Sequence, residues 1–240
     1  MGSLVKVRLS AIRLFAVLER HQLVSKVLAD PLKPLKGIKV AHLSEAMTRP
    51  RLRLFHSCDE LRTILCEIGY VVEITLITPG KLSGSFSIKR INDIIFLHIS
   101  SNQSLLYFGS YRPQYITLAF DQCINREHSR VQGEVFSLHA IGGYGLNKTE
   151  VFYSSSAGSS MFFVLIPSIS FQGFVHQLSG DRVLQLLNES HQHRVESNHF
   201  MHLRNVCRGF LHASSESSCP STTTHDLMVL IHDIMTINYT

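Results

Sequence analysis

The chain is 240 residues long and 45% hydrophobic, enough for one large domain or two small ones around a real core. Charged residues make up 17%, Trp is absent, and no uncharged stretch stays apolar for the roughly 18 residues that a membrane-spanning helix needs, so no membrane association is expected. The net charge of +5 is uneven: residues 1–54 carry eleven Lys and Arg against three Asp and Glu, which confines the basic character to the N-terminal segment.

That segment, residues 1–54, reads as a basic, poorly ordered extension. Lys6, Arg8, Arg13 and Arg20 are scattered among apolar residues, and Pro31, Pro34 and Pro50 interrupt any regular element. An Arg-bearing start also suits a targeting or membrane-surface helix, and its cations suit nonspecific phosphate contact. Arg13 splits the only apolar run, which argues against a secretory signal, and Met47 offers a second start just before strong patterning begins. Five cysteines (Cys58, Cys66, Cys123, Cys207 and Cys219) form no C-x-x-C pair, so a reducing, cytoplasmic setting is expected rather than a disulfide framework or zinc knuckle.

Regular structure is first expected at Ser57, an N-cap residue three positions before Glu60. Leu61, Ile64, Leu65 and Ile68 then follow the spacing of one buried helical stripe, which predicts a helix over about residues 58–68, closed by Gly69. From Tyr70 the period changes to two: Val72, Ile74 and Leu76 on one face, Glu73 and Thr75 on the other, ending at Pro79-Gly80. Further β-type runs are predicted at 84–91, 94–100, 104–109, 115–120, 131–138, 151–154, 161–167 and 171–177, with Asn92-Asp93, Pro113 and Gly142-Gly143 as breaks. Short strands at this spacing, with no long helix between them, predict an antiparallel barrel or sandwich over residues 55–180. Beyond Gly180 three helical stripes are expected: Val183, Leu184 and Leu187; Phe200, Leu203, Cys207, Phe210 and Leu211; and Leu227, Leu230, Ile231 and Ile234, the last widened by Met228 and Met235. The fold class is therefore α+β, with one helix before the β-region and about three after it, in residues 181–240.

Candidate chemistry is sparse. The only histidine cluster is His191-x-His193 with His199 and His202, and His191 and His193 cannot share the helix face of His199 and His202. No metal and no other cofactor is expected. Gly142-Gly143-Tyr144-Gly145-Leu146-Asn147-Lys148-Thr149 falls one glycine short of a phosphate-binding loop, and no helix start follows it, so a glycine-rich strand connection is the better account. Four N-glycosylation triplets, at Asn102, Asn147, Asn188 and Asn238, have no meaning without a secretory signal. No nucleophile elbow, Cys/His signature or marked carboxylate pair is present, so no catalytic residue and no enzyme activity is expected.

Three segments carry a resemblance: Phe55-His56-Ser57-Cys58-Asp59-Glu60-Leu61; Leu76-Ile77-Thr78-Pro79-Gly80-Lys81-Leu82-Ser83-Gly84; and Ser101-Asn102-Gln103-Ser104-Leu105-Leu106-Tyr107-Phe108-Gly109. They are similar to the N-terminal regulatory domain of bacterial AraC-type transcriptional regulators, which open with an F-x-D-x-D-E-L helix, a P-G-x-F-x-G turn and an S-N-Q strand. Ser57 stands in place of the first Asp and Leu82 in place of the Phe. The likeness covers about residues 55–212 and implies a cupin-like barrel that senses an effector or mediates dimerisation, followed by helices that form a homodimer contact. On that basis Ile74, Leu76, Phe96 and Tyr107 are the candidate ligand-binding residues, and Leu227, Leu230, Ile231 and Ile234 the candidate dimer interface. Family members continue into a helix-turn-helix domain, and this chain stops at Thr240, where it would begin; DNA is then reached only through that missing domain. A truncated, inactive regulator is one alternative. A cupin-like enzyme or metal-binding protein is the other, disfavoured because the barrel's His98, His128, His139 and His176 occur singly, without an H-x-H pair and a following Glu.

Overall fold

Apolar side chains point to both sides of the central strands, and that pattern organises everything around them. The computed structural model describes residues 51–68, 70–110, 114–121, 127–143, 150–178, 181–212 and 224–237. The basic extension lies outside the described residues as far as residue 50. In chain order the elements are β1 (Arg51–Phe55), α1 (Cys58–Glu67), β2 (Val71–Leu76), β3 (Gly84–Ile91), β4 (Ile94–Ser101), β5 (Leu105–Ser110), β6 (Tyr115–Asp121), β7 (Arg130–Val131), β8 (Glu134–Val135), β9 (Ala140–Gly143), β10 (Glu150–Ser155) and β11 (Ser159–Pro167). They continue with α2 (Ser168–Gln177), α3 (Asp181–Glu189), β12 (Gln192–Arg194), α4 (Ser197–His212) and α5 (Thr224–Ile237).

The strands form two antiparallel sheets, one of seven strands in the order β1-β3-β4-β11-β6-β9-β12 and one of five in the order β2-β5-β10-β7-β8. On one face of the larger sheet, Ile95, Leu97 and Ile99 of β4, Met161 and Leu165 of β11 and Ala119 of β6 share a core with Val72, Leu105, Tyr107 and Tyr153 of the smaller sheet and with Leu61, Ile64 and Leu65 of α1. On the other face, Ile94 and Phe96, then Phe162, Val164 and Ile166, then Ile116, Leu118 and Phe120 meet the helices α2 to α5. The protein is thus α+β, with its larger sheet covered on both sides.

The three segments quoted for their resemblance meet at one corner of this arrangement. Ser57 caps α1, its hydroxyl accepting from the Glu60 amide at 3.1 Å, while the Glu60 carboxylate accepts from the His56 amide at 2.6 Å. Phe55, fully buried, pairs with Gly84 across β1 and β3, and a Cβ on Gly84 would stand 2.1 Å from its ring and 2.4 Å from the Ser100 carbonyl. The turn after Pro79 is held by Asn102, whose Oδ1 accepts from the Ser83 amide at 2.8 Å and whose Nδ2 donates to the Lys81 carbonyl at 3.0 Å. Thr78 donates to Gln103 Oε1 at 2.7 Å and accepts from the Ser104 amide at 2.9 Å. Gly80 has φ +136°, a conformation open to glycine, and lies hard against the Gln103 side chain.

Several expectations need correction. Residues 51–54 belong to β1 and not to the extension, because Arg51–Phe55 pair along their whole length with β3. Residues 171–177 are helical, within α2: Phe171, Gly173 and Val175 alternate as a strand would, but burying Phe174 as well sets a stripe of Phe171, Phe174 and Val175 at helical spacing. Four helices therefore follow β11 instead of three. The run 131–138 is broken by a tight turn, with Gln132 at φ 50° and Gly133 at φ 84° between the two-residue strands β7 and β8. Gly142-Gly143 is no break but part of β9, where the Phe136 ring leaves no room for a Cβ at Gly142. Residues 192–194 form a short strand on β9 inside the region expected to be helical.

The α5 stripe expected at a dimer contact is largely covered within the chain itself. Leu227, Ile231 and Ile234 are buried in the chain's own core, where α5 packs on α2, α3 and α4, and Leu230 is half-buried against the same core. Ile231→Asp should therefore destabilise the fold itself, by about 4 kcal/mol or more, and urea unfolding followed by circular dichroism will measure the loss. Asn102→Ala removes two hydrogen bonds from a solvent-facing turn and should lower stability by about 1–2 kcal/mol in the same assay.

Candidate functional site

Between the two sheets the packing leaves a cavity of about 70 Å³. Val72 of β2, Tyr107 of β5, Val131 of β7 and Val151 and Tyr153 of β10 line it from the smaller sheet. Leu97 and Ile99 of β4, Thr117 and Ala119 of β6, Gly143 of β9 and Phe163 of β11 face them from the larger one, with Leu65 of α1 and Tyr70 closing a side. The void exists where the larger sheet runs out of side-chain volume. Ala119 is the smallest inward residue on β6, and Gly143, at φ +108°, cannot carry more, since its Cβ would stand 2.4 Å from the Thr117 carbonyl.

The few polar atoms here are hydroxyls. Tyr70 Oη and Thr117 Oγ1 share a buried hydrogen bond of 3.0 Å, which satisfies both and ties the residue just before β2 to β6. Tyr107 and Tyr153 stand with ring centroids 5.7 Å apart, and Tyr153 meets Phe136 and Phe163 edge-on at 6.3 and 6.2 Å. These edge-to-face contacts make one wall of the cavity aromatic and rigid. Burial pushes the Tyr107 phenol well above the ordinary tyrosine range, the nearby Ser155 hydroxyl opposes this, and Cys58 adds to it. Cys207, buried under the helices on the other face, is pushed up to about 12 by the same desolvation, which makes it an unreactive thiol at neutral pH.

Of the four candidate ligand-binding residues, Tyr107 lines the cavity. Ile74 and Leu76 pack half-buried against the same core but beyond the void, which lies at the Val72 end of β2. Phe96 is on the opposite face of the larger sheet, stacked on Phe210 of α4 at 5.1 Å. Strand alternation assigned the inward face of β2 and β5 but could not say which face of β4 meets the smaller sheet, because both are apolar. Ala119 and Gly143 were missed; small residues inside otherwise bulky runs were the available signal.

The histidines are scattered. His98 bonds Ser160 at 2.6 Å beside the Phe162 ring, His139 lies against Phe200, His199 sits 3.8 Å from Glu196, and burial holds the His193 imidazole below its ordinary value. Among the described residues no three His, Cys, Asp or Glu side chains come together in a way that would hold a metal ion. Among them, too, no helix is long and apolar enough to cross a membrane. Compared with known proteins, the chain matches no family model, no curated protein and no solved structure.

The buried phenol gives the fold a pH dependence of defined sign. Because folding raises the Tyr107 pKa above its ordinary value of 10.0, the stability it contributes is intact below that pH and is lost as pH rises beyond it. The loss should approach about 1.4 kcal/mol per pH unit. Cys207 contributes a similar loss that begins near its ordinary value of 9.0. Tyr107→Phe should flatten the fall above pH 10 and leave the cysteine's part, as read from thermal midpoints taken across the alkaline range.

Proposed function

We propose that this chain is the sensory or dimerisation part of an AraC-type transcription regulator, its two sheets forming that family's cupin-like barrel. The observation that carries the reading is the convergence of the three resembled segments. Phe55 lies across Gly84, Asn102 and Gln103 hold the turn after Pro79, and Ser57 and Glu60 cap the helix beside them. A fortuitous likeness spread over fifty residues gives no reason for its members to bind one another. The departures, Ser57 and Leu82, fit the same scheme: serine caps a helix as aspartate does, and Leu82 is buried in the core that Phe55 joins.

The cavity supports the sensory half of the reading, with a small-molecule effector as its occupant. For dimerisation, the stripe Leu227, Ile231 and Ile234 of α5 is already buried within the chain, and Met228, Val229 and Leu230 are half-buried beside it, so a second copy would meet α5 through their remaining exposed parts. The regulator would work in the cytoplasm as a homodimer and reach DNA through the family's helix-turn-helix domain. No cofactor enters this scheme, and the single histidines of the sheets give the metal-binding or enzymatic alternative no constellation to work with.

A fusion tests the reading. The full chain is placed ahead of a helix-turn-helix domain that represses a reporter only when paired. Repression well above that of the isolated domain is the expected result. A folded, soluble fusion that represses no better than the isolated domain would overturn the dimerisation half of the reading.

A further inference from the structure

The cavity's lining restricts what it can hold. Among the described residues that line it there is no Asp, Glu, Lys, Arg or His. Its hydroxyls are few, and those of Tyr70 and Thr117 are engaged with each other. A carboxylate, phosphate or ammonium would lose its water here and meet no opposite charge, and a sugar would leave most of its hydroxyls without partners. Walls of this kind offer water few partners and suit apolar guests. At about 70 Å³ it is roughly half the size of a cavity that admits benzene and well below ordinary ligand pockets. Ala119 and Val131 line it from opposite sheets, and the strand of Val131 is joined to β10 through two residue pairs, Tyr153 with Val131 and Ser154 with Arg130.

We propose that this cavity takes a neutral, compact, mainly apolar ligand, and that Ala119 sets how large that ligand can be. The inference rests on the sensory reading of the same cavity and adds the chemical class of the effector. It also names two side chains that should change ligand size in opposite senses. Leucine at position 119 would fill the void, and alanine at position 131 would widen it.

The test uses the full chain, with xenon, n-propanol and propionate as probes, and reads the methyl resonances of Val72, Leu97, Ile99, Val131 and Val151. Xenon and n-propanol should shift these methyls saturably, and propionate should leave them in place. Ala119→Leu should weaken n-propanol binding about tenfold or more, and Val131→Ala should strengthen it. Should Ala119→Leu lose its methyl dispersion, Val131→Ala carries the comparison, and unchanged n-propanol binding in it would overturn the size rule. Propionate shifting the same methyls as strongly as n-propanol would overturn the neutral class while leaving a sensor site in place. If no probe shifts them, the cavity is no ligand site and the sensory half of the reading falls, whereas the fusion assay still decides dimerisation.

Discussion

The larger sheet is apolar on both faces, and the rest of the structure follows from having to cover it. Along β4 the residues Ile94 to Leu97 are all buried, odd and even positions going to opposite cores, and β11 beside it and β6 beyond repeat this. A strand with one wet face would alternate apolar with polar residues; these do not. Two layers are therefore required. One is the smaller sheet with α1, the other the four helices after β11, and removing either would expose a row of Ile, Leu, Phe and Val side chains to water.

The two layers differ in how well they fill their side. Helices meet the sheet with long aromatic and aliphatic residues, and ring contacts such as Phe96 on Phe210 and Phe120 on Phe200 close the space. Two sheets stand apart by a distance set by their largest facing side chains, here the tyrosines and phenylalanines around Tyr153. Where Ala119 and Gly143 face that aromatic wall, nothing reaches across. The void thus lies where Ala119 and Gly143 of the larger sheet stand opposite Tyr107 and Tyr153 of the smaller one, with Phe163 of the larger sheet among its lining. Gly143 cannot be enlarged without striking the Thr117 carbonyl, so Ala119 is where the gap is adjustable.

Local chemistry was legible in the sequence wherever a residue acts within its own segment. The Ser57–Glu60 cap, the α1 stripe and the alternation of β2 needed no tertiary information, and the structure has them as expected. Where two periods fitted the same residues, the partner surface decided. Phe171, Gly173 and Val175 satisfy a strand, yet the sheet beneath demands Phe174 too, and only a helix presents all of these. The strand β1 was illegible for a related reason. Leu52 and Leu54 face solvent while Phe55 is buried, so its pattern is weak, and it is fixed by pairing with β3, thirty residues away in sequence. The candidate site was half legible: alternation found Tyr107 but could not choose a face for Phe96.

The stripe on α5 shows the limit of reading an apolar helix face as an interface. A sequence states that Leu227, Ile231 and Ile234 must leave water; it does not state whether the covering surface belongs to the same chain or to another. Helix α5 packs on α2, α3 and α4, and adds Leu227, Ile231, Ile234 and Met235 to the core that lies on the second face of the larger sheet. A helix in that position cannot turn the same residues outward to a second copy without uncovering the helices it packs on. Any association of two copies must therefore use surface that the intrachain core leaves over, and on this helix even Met228, Val229 and Leu230 are half-buried against that core.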